Sequence, residues 1–361
     1  MKKVFLNAYT ELNLGDDLFI ENILERYSRS RFFMLSNNKY ETYFNKQGNL
    51  KTINENNWIF TQLKKVWQSG FARYLDLIKR RCIANIYIGG SIFIEYPSWK
   101  QVLNWWNYQV DNYPFYVLGA NFGPFHDEEY RNSMNDVFSR MKDICFRDYN
   151  SYGLFNENDK VRYAPDILFS QKIEKQKVTK KIFVSLIDCD SKDEGSNKLD
   201  NLSNNYYLSI SNVLKKYIKD DYEIVLVAFC EKEGDCKANN TILEMLEYKS
   251  NVRLITYDGY NRKEILNELS SSLYVIGTRF HSIVLAMVAN KPFFPIVYSK
   301  KTLNMLNDLD YKGNLIDIKE IEKIDFDYVN ENLKNNYILD IEDYRKEAEK
   351  HYLYLDKVLK D

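Results

Sequence analysis

"LYVIGTRFHSIVLAMVANKPFFPIVY", residues 273–298, reads as one complete strand, helix and strand unit. The first apolar run stops at Gly277, and residues 283–289 are apolar on every side, which suits a helix packed inside rather than on a surface. Pro292 then separates that helix from a second apolar run. Two such runs bridged by a buried helix make a parallel sheet unit. The polar gap "TRFHS" therefore falls at the carboxyl end of a parallel strand, the edge where open α/β sheets bind ligands. Amides at the start of the helix face any anion held there, and Ser282 can help cap it. Arg279 brings a fixed positive charge to this edge and His281 a group that titrates near neutrality.

The same alternation extends outward in both directions. Upstream, "KVFLNAY", "NIYIGG", "YPFYVLGA" and "DICFRD" predict strands, with helices over 17–30, 99–110 and 128–141. After the charged "QKIEKQKVTK", which reads as a linker, a second series begins. It comprises "KIFVSLID", "YEIVLVAF", "NVRLITY" and the opening unit, with helices over 206–218, 239–248 and 262–271. A chain of 361 residues exceeds what one core usually supports. The expected fold is α/β, with two Rossmann-like domains facing a central cleft. They span 1–172 and 173–325, and a helical tail over 326–361 returns across the domain junction. The Asn- and aromatic-rich region around 37–80 lacks so regular a pattern, and "KDEGSNKLDNLSNN" reads as an exposed loop.

Bulk properties narrow the function. There are 50 basic and 51 acidic residues, a net charge of −1, so no nucleic-acid partner is expected and any anion site must be local. Five cysteines form no metal-like pair of pairs, and their odd number suits a reducing compartment. The three histidines, His126, His281 and His351, do not gather by spacing into a metal site, so no metal is expected. The N-terminus runs straight into a strand with no signal peptide ahead of it, and no apolar run reaches the ~20 residues of a membrane span. A cytoplasmic protein follows as the expectation, with Lys, Trp and Tyr available for peripheral contact at the inner face of the membrane. The oligomeric state stays open.

Several further segments bear chemistry. In "NAYTELNLGDDLFIENIL", Asn7 ends a strand, Asn13 and Gly15 form a turn, and Asp16 or Asp17 can cap the following helix; the alternative is a ligand loop. Gly89, Gly90 and Ser91 in "IYIGGSIF", and Asn121 in "VLGANFGPF", mark glycine-rich strand ends that allow close backbone approach. Neither is a Rossmann fingerprint or a Walker loop. Arg147 in "ICFRDYN" has the bidentate fork suited to phosphate or carboxylate, or else pairs with Asp148 or a helix carboxylate. Asp166 in "YAPDILF" binds a ligand hydroxyl or caps a turn, and Lys300 and Lys301 follow the strand that ends the opening unit. No G-x-S-x-G elbow is present, which disfavours a Ser-His-Asp hydrolase. The tryptophans of "SWKQVLNWWNY" read as a packed helix face rather than a sugar-stacking platform.

Taken in order, "NLGDD", "GGSIF", "GANFGP", "CFRD", "APD" and "GTRFHSIVLAMVANKPFFPIVYSKK" resemble the polysaccharide pyruvyl transferase family from about Asn7 to Leu309. The resemblance implies a fold similar to the GT-B glycosyltransferases. It also implies transfer of the enolpyruvyl unit of phosphoenolpyruvate to a sugar of a surface-polysaccharide precursor, ending as a pyruvate ketal. The donor is then a substrate, no cofactor is needed, and the acceptor is a lipid-linked or nucleotide-linked sugar. The family's basic active-site positions match Arg147, His281 and Lys301, with Arg279 ahead of the histidine. Two departures stand out: "GGS" replaces a longer glycine run, and doubled Lys300-Lys301 leaves two candidates for one lysine. The remaining expected contacts are Ser282, Asn13, Gly15, Asp16, Gly89, Gly90, Ser91, Asn121 and Asp166. A glycosyltransferase using a nucleotide sugar and a non-catalytic carbohydrate-binding or scaffold protein are the rival readings.

Overall fold

Short runs of Val, Ile, Phe and Tyr become the strands of two parallel sheets, and the central runs are buried on both faces. The computed structural model describes residues 1–36, 40, 43, 48–54, 70–191, 193–194, 197–247 and 249–360. Most of the Asn- and aromatic-rich stretch between 37 and 69 lies outside these residues, as do parts of the loop after Asp190.

The chain divides into two compact units. The first comprises Met1–Thr10, Asp16–Ile167 and Glu347–Asp361; the second comprises Glu11–Gly15 and Leu168–Lys346. Among the described residues, seven parallel strands build the first: β1 Lys3–Asn7, β2 Arg31–Ser36, β3 Leu50–Asn54, β4 Ala84–Ile88, β5 Phe115–Ala120, β6 Asp143–Phe146 and β7 Val161–Tyr163. Their order is β3-β2-β1-β4-β5-β6-β7, which reverses between β1 and β4. The second unit holds β8 Lys181–Ser185, a small hairpin of β9 Asp193–Glu194 and β10 Asn197–Lys198, then β11 Glu223–Ala228, β12 Val252–Thr256, β13 Tyr274–Gly277, β14 Phe293–Val297 and β15 Ile316–Asp317. Its main sheet runs β12-β11-β8-β13-β14-β15 and reverses between β8 and β13. Such reversals are where ligand crevices form in open α/β sheets. Both units are thus Rossmann-like.

The helix Phe280–Val288 is as buried as its sequence requires, with Ile283 to Met287 wholly enclosed. Each fully buried aliphatic side chain there contributes about 1.5–3 kcal/mol. Arg345 donates to the Val288 carbonyl at 2.7 Å, satisfying one of the orphan acceptors at the helix end. Sequence and structure differ at the first helix, which spans Leu14–Arg26 and so begins before Asp16. Its cap is neither aspartate: Asn13 Oδ1 accepts from the Gly15 amide at 3.1 Å, and buried Asp17 accepts from the Tyr40 hydroxyl. β2 is absent from the sequence reading because its residues alternate buried and half-buried instead of forming one apolar run. Trp99 and Trp106 pack into the core around Phe93, whereas Trp105 stays partly exposed.

The C-terminal segments group separately: 326–346 belong with the second unit and 347–361 with the first. Within the first unit, Arg26 is clamped by Glu349 at 2.5 Å and by both oxygens of Asp356, and it stacks 4.3 Å over the Tyr352 ring. Next to this clamp, wholly buried His351 places Nε2 2.8 Å from the Pro165 carbonyl. Burial pushes the pKa of this imidazole down to about 3, although the bond to Pro165 works in the other direction. Since an unfolded histidine titrates near 6.5, His351 contributes stability that is fully present above about pH 6.5 and is lost as pH falls toward 3. His351→Gln, which keeps a donor but cannot titrate, is expected to flatten the decline in unfolding free energy between pH 7 and pH 4. Identical pH slopes in parent and variant urea titrations would refute this assignment.

Among the described residues, no helix is long and apolar enough to cross a membrane, and no group of three or more His, Cys, Asp or Glu is placed to hold a metal ion.

Candidate functional site

In the first unit, six of the expected site residues converge at the carboxyl edge of the sheet. Gly89 and Gly90 follow β4, Asn121 follows β5 and Arg147 follows β6. Arg147 donates to Asp166 at 2.9 Å and to Asn121 Oδ1 at 2.8 Å, and both ion-pair partners are almost wholly enclosed. The Asn121 backbone N–H in turn donates to the Gly90 carbonyl at 2.8 Å, and Ser91 Oγ lies 3.4 Å from Asn121 Oδ1. Asp148 is not the partner of Arg147's fork; it caps the helix Tyr149–Gly153 by accepting from the Ser151 amide and hydroxyl. Burial raises the Asp148 carboxyl above the usual range despite those two bonds. Arg147 therefore ties three strand ends together, and Ser91 on the same edge is exposed.

Glycine at position 90 has a steric cause. A Cβ there would overlap the Arg147 guanidinium, which Asp166 and Asn121 hold in place. Gly90→Ala is expected to lower stability by about 1–3 kcal/mol, the usual range for overpacking. Gly153→Ala, where a Cβ meets nothing within 4 Å, is the control and should leave the urea midpoint nearly unchanged. Equal midpoints for Gly90→Ala and the parent would show that Arg147 yields at no cost.

The second unit gathers its residues where β13 leaves the sheet beside β8. The Thr278 amide bonds the Ser185 carbonyl at 2.8 Å, and its hydroxyl meets Tyr206 at 2.8 Å. Arg279 follows in extended conformation as the N-cap of the buried helix, with His281 in the first turn. Ser282 Oγ donates back to the Arg279 carbonyl at 2.6 Å, so this hydroxyl is committed to the backbone of the turn. Lys300 and Lys301 begin the helix after β14; Lys300 is exposed, while the ammonium of Lys301 lies 5.9 Å from the Tyr298 ring centroid.

Arg279 is placed differently from the anion-holding role expected of it. Its Nε lies 2.9 and 3.0 Å from the two oxygens of Asp235, and its remaining nitrogens contact Asp235 and Glu233. Burial opposes the guanidinium charge, but the two carboxylates override that and push its pKa up. Asp235 also accepts from the Phe229 and Cys230 amides at 2.9 and 3.0 Å, which makes it an anchor at the end of β11. The Arg279 side chain thus fixes the loop after β13 to the loop after β11. Asp235 and Glu233 escaped the sequence reading although their signal was there: "CEKEGD" follows the strand "YEIVLVAF" just as "TRFHS" follows "LYVIG".

Asn13 and Gly15 belong to this second cluster. Leu14 donates to the Phe229 carbonyl at 3.1 Å, Asn13 Nδ2 to Glu233 at 3.1 Å, and Gly15 abuts the His281 imidazole. Asp16, the next residue, groups with the first unit and is partly exposed.

Comparison with known proteins bears on the family and the fold. The family model described as polysaccharide pyruvyl transferase matches residues 13–300. The amylovoran biosynthesis protein AmsJ of Erwinia amylovora is 22% identical over 261 residues, covering 66% of this chain and 62% of AmsJ. Among solved structures, Anabaena HepE in complex with UDP superposes with a TM-score of 0.60 at 11% identity, over 100% of this chain and 98% of HepE. UDP-GlcNAc 2-epimerase from Neisseria meningitidis bound to UDP-GlcNAc gives 0.63 at 12% identity, over 100% of both chains. At these identities the structural likeness concerns the fold, which is that of the GT-B-type glycosyltransferases and epimerases. With a single family model covering both the loop at Asn13 and the helix start at Lys300, the chain belongs to the polysaccharide pyruvyl transferase family.

Proposed function

We propose that this protein transfers the enolpyruvyl unit of phosphoenolpyruvate to a sugar of a surface-polysaccharide precursor, leaving a pyruvate ketal across two hydroxyls. The observation that carries this reading is His281 in the first turn of a buried helix at the reversal point of its sheet, inside the span matched by the family. A sugar hydroxyl adds through its oxygen to C2 of the donor while C3 takes a proton from the His281 imidazolium and becomes a methyl group. A second hydroxyl then replaces phosphate at C2 and closes the ketal. Of the two hydroxyl protons, one restores the imidazolium and the other leaves with phosphate. An imidazole suits this work because its reference pKa lies near 6.5.

Lys301, with Lys300 beside it, supplies positive charge for the phosphate and carboxylate of the donor. The placement of Lys301 against Tyr298 favours it over exposed Lys300 for the closer contact. Phosphoenolpyruvate is a donor substrate here, and the mechanism draws on no cofactor or metal. In the first unit, Gly89, Gly90, Ser91 and Asn121 offer backbone and side-chain polar groups to acceptor hydroxyls. Arg147 and Asp166 hold that edge rigid.

The experiment offers phosphoenolpyruvate together with lipid-linked and nucleotide-linked sugars, and follows ketal formation by mass and phosphate release. Donor-dependent ketal formation is the expected result. Consumption of a UDP-, GDP- or CMP-sugar without phosphoenolpyruvate would instead make this a glycosyltransferase, and sugar binding without turnover would make it a carbohydrate-binding protein.

A further inference from the structure

We propose that Asn13 and Gly15 are positioning residues that fix the His281 imidazole, rather than substrate ligands. The inference rests on the reading of His281 as the proton donor and adds how its ring is aimed. Gly15 lies directly against that ring, so that a Cβ at position 15 would overlap Nδ1 and come within 2.5 Å of Cε1. The ring consequently packs on bare backbone, a wall that only glycine provides at this distance.

That wall is itself held in place. Leu12 adopts φ +52°, turning the chain, and Leu14 bonds the Phe229 carbonyl at 3.1 Å. Asn13 spends both ends of its amide on protein: Oδ1 accepts from Gly15 at 3.1 Å, and Nδ2 donates to Glu233 at 3.1 Å. Glu233 in turn contacts the Arg279 guanidinium. The carbonyl of Arg279 then accepts from Ser282 Oγ at 2.6 Å and the Ile283 amide at 3.3 Å, within the turn that carries His281. Continuous bonds therefore fix both the backbone beneath the imidazole and the glycine in front of it. Proton delivery to one carbon requires this, since a misplacement of about 1 Å costs about 10²-fold in rate.

The test combines turnover with imidazole NMR. With only three histidines in the chain, the His281 ring signals are identified by their loss in His281→Ala. Gly15→Ala is expected to shift those signals while the rings of His126 and His351 keep theirs. Turnover is expected to fall by at least ~10-fold in kcat with KM for phosphoenolpyruvate little changed. In the His281→Ala background, where the ring is gone, Gly15→Ala should cost nothing further. An equal loss in both backgrounds, or unshifted His281 signals in Gly15→Ala, overturns the positioning role. If the parent turns over no phosphoenolpyruvate, the reading of His281 fails, yet the NMR arm still decides whether Gly15 sets the ring.

Discussion

His281→Ala is expected to fold normally and to transfer the enolpyruvyl unit at least ~10²-fold more slowly than the parent, the lower bound for loss of a general acid. Folding should survive because the apolar stripe that buries the helix, Ile283 to Met287, lies beyond the substituted turn. The removed ring lies against the Gly15 backbone, so its loss opens space there. Turnover, by contrast, loses its proton source for C3. The acidic variant His281→Glu separates the two contributions, because it restores a titrating group without the imidazole shape. The rate and its pH dependence are read together: the parent profile should carry a limb from an imidazole that the alanine variant lacks. Parent-like turnover in His281→Ala would sink the proposed mechanism.

How much of this was legible beforehand depends on the kind of signal. Alternating apolar runs and helix-length gaps gave the architecture, because burial on both faces of a parallel strand writes itself into consecutive residues. The carboxyl-edge rule led to Gly89, Gly90, Ser91, Asn121, Arg147 and His281, since a strand end can be counted along the chain. Partnership cannot be counted in that way. Arg147 and Asp166 are nineteen residues apart and Arg279 and Asp235 forty-four, yet each pair is in direct contact. A sequence shows a fork suited to an anion without showing that a buried carboxylate already fills it. The Asn13 cap was hidden for a similar reason: two aspartates follow at once, and local capping preference does not rank them against an asparagine bonded to both Gly15 and Glu233.

The difference matters most at Arg279, because an arginine waiting for a ligand and one enclosed by carboxylates fail in opposite ways. Removing the first weakens donor binding in a protein of normal stability. Removing the second takes the guanidinium from two acids, Asp235 wholly buried and Glu233 partly exposed. Arg279→Ala is therefore expected to lower the unfolding free energy by about 3–5 kcal/mol, the range for breaking one partner out of a buried pair. Arg279→Lys should recover little of this, since a single ammonium cannot reproduce the fork that spans Asp235 and Glu233. The deficit relative to the parent should shrink as pH falls, because protonation removes the carboxylate charge that the guanidinium balanced. Asp235→Asn in the Arg279→Ala background should also recover part of it, by replacing a buried charge with a neutral amide while keeping an acceptor for Phe229 and Cys230. Urea unfolding of the single and double variants between pH 5 and pH 8 checks each step. An Arg279→Ala protein with parental stability and weakened donor binding would return Arg279 to the donor site and assign the carboxylates a lesser role.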